Sequence, residues 1–250
     1  MNVYMVSVVR DYEMYGHCVL DNPYCRDFRK IPIDNLKENL PVSVRYNAFL
    51  DSFDGDGWIV FCHEDWELLA PLEPILEKLD RKRLYGPIGA MIKEERKADF
   101  IYLCGSVSQS DKNGKHRSKV KGIYPEGEVG TFDCQCLIVH SSLVREKGLR
   151  FDPNLRFDMY VEDFCAAARE SHGIESYALD LPCNHYSKGV IGPGFLGALE
   201  YVQGKYAGAK ARYSTTVGRR NTFGKNYTKP VFNLRRVLTT KIRYYVIKSL

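Results

Sequence analysis

Apolar runs of strand length alternate with stretches of helical periodicity along most of this chain, a pattern typical of an α/β domain. Val3–Val9 and Trp58–Cys62 are nearly continuous apolar runs, which predict two strands buried on both faces. Residues 28–33 predict a strand between them. Apolar side chains then recur at helical spacing within residues 42–53 and 72–79, so a helix is expected after the second strand and another after the third.

The rest of the pattern predicts four more strands, at residues 85–92, 100–103, 131–139 and 176–181. Between them, residues 106–128 contain several Gly, Lys and Ser and are predicted to form a mobile loop. With 250 residues, of which 44% are hydrophobic, the chain can bury a full core as one large domain or as two joined halves.

Composition narrows the cellular setting of the protein. No apolar run approaches the ~20 residues of a membrane span, and the first residues form a strand pattern rather than the basic and apolar parts of a signal peptide. A cytoplasmic location is therefore expected. The eight cysteines are scattered, several within apolar runs, which predicts reduced core thiols rather than a disulfide framework.

Charge is distributed unevenly along the sequence. Residues 205–250 contain twelve Lys or Arg and no Asp or Glu, whereas residues 1–204 contain 31 acidic and 24 basic residues. The basic segment is interleaved with Tyr and Phe, so an anionic lipid surface, nucleic acid or the acidic body of its own domain would each suit it. We expect peripheral attachment to an anionic membrane, with packing onto the acidic body as the alternative. The absence of a recognisable nucleic-acid motif makes nucleic acid the less favoured partner.

The strand at Trp58–Cys62 is followed by three polar residues, His63, Glu64 and Asp65. In open α/β sheets ligands bind beyond the carboxyl ends of the strands, so carboxylates there are well placed to hold a divalent metal and the phosphates that it bridges. This position favours a nucleotide site. The alternative is that the three residues open the next helix, since acidic side chains are favoured in a first helical turn.

The order of several short motifs resembles the family 2 glycosyltransferases of the GT-A fold, in particular those that build bacterial surface glycans. In the first half the motifs are Ser7-Val8-Val9-Arg10, Ile33-Asp34-Asn35, Tyr46-Asn47 and the stretch from Trp58 to Asp65. In the second half they are Phe132-Asp133, Phe151-Asp152-Pro153, Val161-Glu162-Asp163-Phe164 and Asn184-His185-Tyr186-Ser187. The resemblance covers roughly residues 1–190.

This resemblance implies a Rossmann-like mixed sheet flanked by helices. Residues 1–105 would form the nucleotide-binding half and residues 106–204 the acceptor half of a GT-A domain (1–204), followed by a basic C-terminal extension (205–250). Five residues are implied to contact the nucleotide or the donor: Ser7, Arg10, Asp34, Asn47 and Glu64. Asp34 resembles the residue that reads a uracil ring, and a β-turn role is its alternative.

The resemblance also implies a Mn²⁺ or Mg²⁺ cofactor. Asp65 is the first expected ligand, and His63 and His185 are the others. The family usually has Asp-x-Asp at the end of this strand, and His63 replaces the first Asp here, which leaves open whether His63 contacts the metal or the ribose. A cation held by carboxylates stabilises a diphosphate leaving group without proton transfer. A surface hydrogen bond is the alternative role for His185.

Asp163 is the general base that the resemblance implies, taking a proton from the acceptor hydroxyl as that hydroxyl attacks the anomeric carbon. Glu162 and Asp133 are implied to contact the acceptor or the donor sugar. Simple helix capping is the alternative for Glu162 and Asp163, because both fall in a predicted first helical turn. A turn or strand-start role is the alternative for Asp133.

The expected function is therefore that of a metal-dependent, inverting glycosyltransferase. It would move a sugar, of hexosyl type, from a UDP-linked nucleotide sugar to a glycan or a lipid-linked glycan. Two alternatives stay open. The same fold could bind a nucleotide or a glycan without turnover, which the loss of the first Asp at His63 would permit. The basic aromatic segment could instead make the protein a nucleic-acid-binding one.

Overall fold

The computed structural model describes residues 1–92, 102–187, 192–217 and 222–225. The strands are β1 (Val3–Val9), β2 (Arg29–Asp34), β3 (Trp58–Cys62), β4 (Trp66–Leu68), β5 (Leu84–Gly86), β6 (Ile88–Ala90), β7 (Leu103–Ser110), β8 (His116–Lys121), β9 (Gly127–Val129), β10 (Thr131–Phe132), β11 (Cys136–His140), β12 (Ser176–Ala178), β13 (Cys183–His185), β14 (Arg212–Ser214) and β15 (Thr222–Gly224). The α-helices are α1 (Tyr12–Tyr15), α2 (Val42–Ser52), α3 (Glu73–Leu76), α4 (Ser141–Lys147), α5 (Tyr160–His172) and α6 (Pro193–Lys205).

A mixed sheet of seven strands, in the order β2-β1-β3-β11-β5-β12-β9, forms the centre of the fold. β1 runs parallel to both β2 and β3, while β11 is antiparallel to β3 and β5. A second sheet has the order β10-β6-β7-β13-β4, and β8 pairs with β7 at its edge. The predicted α/β architecture with a mixed sheet is thus confirmed.

The inner strands β1, β3 and β11 of this sheet are buried on both faces, as the apolar runs of β1 and β3 predict. Alternate residues of β1 enter different cores: Val6 and Val8 lie in one cluster with side chains of α2 and α5, whereas Met5 and Val9 lie in the other. β3 divides in the same way, with Phe61 on the first face and Val60 on the second. This period of two fixes the register of the strands, because a shift by one residue would exchange the two faces.

Element bounds agree with the sequence pattern where the apolar signal is strong. β1 and β3 have the predicted bounds, and α2 carries the predicted apolar face. The predicted helix at 72–79 is shorter, at Glu73–Leu76, with Pro74 in its first turn. The predicted strand at 131–139 is divided into β10 and β11 by residues 133–135, and that at 85–92 into β5 and β6. Residues 100–101 of another predicted strand lie outside the described residues.

The prediction of a loop at residues 106–128 was wrong. These residues contribute most of β7, all of β8 and the start of β9. β8 is an edge strand whose side chains are almost all exposed, with the sequence HRSKVK. An edge strand of this kind buries little apolar surface and so lacks the alternation by which strands are recognised, while exposed Lys is common at sheet edges because it opposes further pairing.

Part of the predicted basic extension packs against the domain. Tyr206 and the hairpin residues Tyr213 and Phe223 belong to the same core cluster as α5. Residues 226–250 lie outside the described residues, and membrane attachment through this segment stays a prediction. None of the described helices is long and apolar enough to cross a membrane. All eight cysteines are free thiols, as predicted.

Candidate active site

A tight turn at the carboxyl end of β3 carries the first group of candidate residues. His63 donates its backbone N–H to Gln135 O at 3.0 Å, and Trp66 N closes the turn onto His63 O at 3.2 Å. Asp65 O then accepts from Tyr186 N at 3.0 Å, which joins the turn to the end of β13. β4 follows directly, so the interpretation of His63 to Asp65 as the start of a helix was wrong.

This turn brings together three residues that were predicted to bind a metal. His185 Nε2 lies 3.2 Å from Asp65 Oδ1, and His63 Nδ1 lies 3.4 Å from His185 Nε2 and 3.9 Å from Asp65 Oδ1. Their side chains are 13%, 24% and 10% exposed for His63, Asp65 and His185. The cluster borders a cleft of about 800 Å³. Residues 122 positions apart in the sequence therefore share one small site.

The donor set fits a divalent transition metal. One carboxylate oxygen and two imidazole nitrogens lie within 4.8 Å of one another, so all three can face a single ion. Mg²⁺ prefers oxygen ligands in near-ideal octahedral geometry, whereas imidazole suits transition metals. The substitution of His63 for an acidic residue thus moves the expected preference from Mg²⁺ towards Mn²⁺ and its heavier neighbours.

Burial and mutual contact shift the protonation of this cluster. Burial lowers the pKa of His63 to about 4, which keeps its imidazole neutral and able to act as a ligand near pH 7. Burial is the largest single influence on Asp65 and disfavours its ionised form, but the hydrogen bond from His185 and the electrostatic interactions with His185 and His63 together outweigh burial and lower the pKa of that carboxyl. For His185 the same contact with Asp65 overcomes the effect of burial and raises the pKa.

One wall of the cleft is formed by the ends of β1 and β2 and the loop before α2. Glu64 Oε2 accepts from Arg10 N at 2.6 Å, and both residues line the cleft. Burial raises the pKa of Glu64 to about 6. Asn35, which the sequence placed beside Asp34, also lines the cleft and holds the loop through two hydrogen bonds with the backbone of Leu40.

Three of the predicted nucleotide contacts do not line the cleft. Ser7 is fully buried within β1, with Oγ 3.2 Å from the Cys62 sulfur. Asn47 bonds both backbone groups of Phe151, at 2.8 and 2.9 Å, and so joins α2 to the loop before α5. Asp34 is exposed at the end of β2 and accepts from Tyr12 Oη at 3.1 Å. Ser7 and Asn47 therefore have clear structural roles, and nucleotide contacts by these three residues stay predictions.

The opposite wall carries two of the predicted acidic residues, Asp133 and Glu162, which come from separate elements. Asp133 lies between β10 and β11, where Oδ2 accepts from the Thr216 hydroxyl at 2.9 Å. Glu162 lies in the first turn of α5, only 3% exposed, and its Oε2 accepts from the Cys134 thiol at 2.9 Å. Burial raises the pKa of Glu162 to about 8. Of these two predicted residues, Asp133 is partly exposed, whereas Glu162 is buried and its pKa is strongly raised.

Asp163 does not line the cleft. Its side chain is 1% exposed, and Oδ1 lies 2.7 Å from Lys205 Nζ and 3.0 Å from the Tyr206 hydroxyl. The same Lys205 Nζ lies 2.7 Å from Asp152 Oδ2, so one ammonium at the end of α6 joins two buried carboxylates. Neighbouring residues of a helix point about 100° apart, and Glu162 rather than Asp163 is directed into the cleft. The base role of Asp163 stays a prediction, and the structure gives its carboxylate other partners.

Several cleft residues escaped the sequence argument. Phe157 stacks on the His63 ring with centroids 5.2 Å apart and an interplanar angle of 22°. Asp158 and Cys134 line the cleft beside Glu162, and Tyr160 Oη lies 3.1 Å from His63 Nε2. The only feature of the sequence that could have indicated these residues is a polar run just before the helix that carries Glu162. Met159, directly before α5, has a left-handed φ of 65°, a conformation that no pattern in the sequence indicates.

Comparison with known proteins supports the fold. No protein-family model and no curated protein sequence matches the chain. The structure of GalNAc-T7 with UDP, GalNAc and Mn²⁺ is similar, with a TM-score of 0.51 and 9% identity over 83% of this chain. S. aureus TarS 1–349 in complex with UDP gives a TM-score of 0.48 at 11% identity, covering 88% of this chain and 68% of that protein. This chain spans about half of GalNAc-T7, 49% of its length.

The similarity to GalNAc-T7 establishes the GT-A fold for this chain, because a mixed sheet flanked by helices is shared over most of its length. The predicted fold class is confirmed. At 9% identity the side chains of the site must be interpreted from their own geometry.

Proposed function

We propose that this protein transfers a sugar from a nucleoside diphosphate sugar, a UDP-sugar, to a glycan hydroxyl in a metal-dependent reaction. The observation that carries the proposal is the cluster of His63, Asp65 and His185 beside the large cleft, at the carboxyl end of a central strand of a GT-A fold. Ligands of open α/β sheets bind at this end of the strands. The resemblance of the motif order to family 2 glycosyltransferases supports the same conclusion.

His63, Asp65 and His185 would hold the metal, which would supply positive charge to the diphosphate as it leaves. Arg10 and Glu64 lie on the donor side of the cleft, together with the loop that Asn35 holds. We assign this wall to the nucleotide. We assign Asp133 to a sugar hydroxyl, because Oδ1 and Oδ2 of Asp133 each accept only one described hydrogen bond and can accept another.

We assign the base to Glu162. The acceptor oxygen would form its bond to the anomeric carbon while the bond from that carbon to the diphosphate oxygen breaks and the leaving group keeps the electron pair. Glu162 would take the hydroxyl proton. A single displacement of this kind inverts the anomeric centre. The raised pKa of Glu162 suits a residue that must accept a proton in the transition state.

A panel of nucleotide sugars with Mn²⁺, monitored by release of UDP, GDP or dTDP, tests the function directly. Release of UDP together with a new glycosidic product on a glycan acceptor is the expected result. Tight UDP binding without release from any donor would instead favour the non-catalytic alternative. If the protein neither binds UDP nor releases it from any donor, both the transferase function and the non-catalytic alternative are excluded.

Asp65→Ala should weaken UDP binding in Mn²⁺ by about 10- to 100-fold, a loss of the size seen when the support of a metal ligand is removed. The fold should persist, because Asp65 is 24% exposed and contributes more to the cleft than to the core. Isothermal titration calorimetry with and without Mn²⁺ measures both affinities. Asp54→Ala, at an exposed-loop acid away from the cleft lining, is the control. Equal affinity for wild type and Asp65→Ala in Mn²⁺ would contradict the assignment.

The transfer rate should rise with pH above 7 and reach half of its maximum near the pKa of Glu162, about 8. The sign follows from the role of the residue: a base must be ionised, and burial keeps this carboxyl protonated to higher pH than usual. Single-turnover rates from pH 6 to 9.5 at saturating Mn²⁺ measure this rise of the transfer rate with pH. A rate that is flat from pH 7 to 9 would show that another group accepts the proton.

A further inference from the structure

Hydrogen bonds behind His63 determine which of its nitrogens is free. Tyr160 Oη lies 2.7 Å from the carbonyl oxygen of Cys134 and 3.1 Å from His63 Nε2. A carbonyl oxygen only accepts, so the single hydrogen of the Tyr160 hydroxyl must lie on the shorter contact, between the two oxygens. The Tyr160 oxygen can then only accept from His63, and His63 Nε2 must carry a hydrogen.

The opposite tautomer would leave this arrangement unsatisfied. With the hydrogen on Nδ1, the Nε2 lone pair of His63 would face an oxygen lone pair of Tyr160. To avoid this repulsion between lone pairs, the Tyr160 hydroxyl would have to turn away from Cys134 O and give up its hydrogen bond there. Tyr160 is 1% exposed, so no bulk water is at hand to replace the lost bond. The Nε2–H tautomer is the one that satisfies all three groups.

We propose that Tyr160 is a positioning residue that makes His63 a metal ligand. A neutral His63 with its hydrogen on Nε2 presents the lone pair of Nδ1, the atom that lies 3.4 Å from His185 Nε2 and 3.9 Å from Asp65 Oδ1. Phe157, stacked on the same ring, fixes the ring plane, while Tyr160 fixes the tautomer and the rotation of the ring.

This inference rests on the metal site of the proposed function and deepens it. It explains how a histidine can replace the usual acidic residue at this position: the side chain needs a hydrogen-bond acceptor behind it, which Tyr160 supplies from the first turn of α5. Outer partners that orient a metal-binding histidine typically change metal affinity by 10- to 100-fold. The helix that carries Glu162 would therefore also affect the affinity of the site for the metal.

The tautomer can be measured without any metal or substrate. Long-range ¹H–¹⁵N NMR on the metal-free full chain at pH 8 distinguishes the two neutral tautomers, and His63→Gln identifies the His63 signals among the six histidines. The Nε2–H pattern is expected in the wild type, with a mixture of tautomers in Tyr160→Phe. A wild-type His63 with its hydrogen on Nδ1 would overturn the inference, whether or not the protein transfers sugar.

Metal affinity provides the second readout. Mn²⁺ titrations followed by electron paramagnetic resonance should give a dissociation constant about tenfold or more higher for Tyr160→Phe than for the wild type. Tyr46→Phe is the matched control, because Tyr46 is equally buried and donates to the Cys62 carbonyl at 3.2 Å without a described bond to a histidine. Equal weakening in both variants, or none in Tyr160→Phe, would contradict the inference. Failure of the wild type to bind Mn²⁺ would contradict the metal site itself, and the NMR result would still decide the tautomer.

Discussion

Glu162→Gln should lower the rate of sugar transfer by roughly 100- to 10,000-fold, the range that is usual for loss of a general base. Glutamine keeps the size of the side chain and can still receive the hydrogen of Cys134, which lies 2.9 Å from Glu162 Oε2. It cannot accept the acceptor proton. UDP affinity in Mn²⁺ should stay close to that of the wild type, because the metal cluster and the donor wall do not include Glu162. Single-turnover transfer and calorimetry separate the two effects.

Asp163→Asn is the matched control, since it changes the neighbouring acid in the same helical turn. Asp163 contacts Lys205 and Tyr206 and does not line the cleft, so its loss should affect stability more than the chemical step. A drop of two or more orders of magnitude in the transfer rate of folded Asp163→Asn, with Glu162→Gln near wild type, would restore Asp163 as the base. A similar result for Asp133→Asn alone would point to Asp133.

Lys205→Met should lower the free energy of unfolding by roughly 2 to 4 kcal/mol at pH 7. Removal of one partner of a buried ion pair commonly costs about 3 to 5 kcal/mol, because an uncompensated charge remains. The estimate is lower here because the Lys205 side chain is 32% exposed. Methionine keeps most of the aliphatic stem but leaves Asp163 and Asp152, 1% and 9% exposed, without their shared cation. Urea unfolding followed by circular dichroism measures the change.

The pH dependence of the stability lost in Lys205→Met tests the same ion pair in a second way. Without Lys205 the pKa of folded Asp163 should rise further above that of the unfolded chain, since burial already raises it. The folded state then favours the protonated acid, so the stability lost in Lys205→Met should shrink as the pH falls towards 5. Lys210→Met, at an exposed lysine with no described ion pair, is the control. In an Asp163→Asn background the same Lys205→Met change should cost less, and an undiminished cost would contradict the pairing.

Hydrophobic patterning was sufficient to predict the parts of the fold where local pattern and burial agree. β1 and β3 are buried at every position and apolar at all but Ser7, because both of their faces are covered, so their bounds could be predicted residue by residue. The polar residues after β3 had to emerge at the carboxyl edge of the sheet, because a buried strand cannot end elsewhere without burying charge. Asp65 and His63 could therefore be placed at the candidate site from the sequence alone. The resemblance in motif order assigned His185 to the same site.

Which side chains meet at the site depends on contacts between distant segments of the chain. Glu162 and Asp163 are adjacent, and a sequence cannot say which of them faces a cleft whose other wall comes from the ends of β1 and β2 and the loop before α2. That choice depends on how α5 is rotated against its neighbours, and in this rotation Asp163 pairs with Lys205, some forty residues away, outside the cleft. The orientation of His63 depends in the same way on Tyr160, and the edge strand β8 on pairing with β7. Each of these is a contact between distant segments, and hydrophobic periodicity carries no information about such contacts because it records only how much of each side chain is buried.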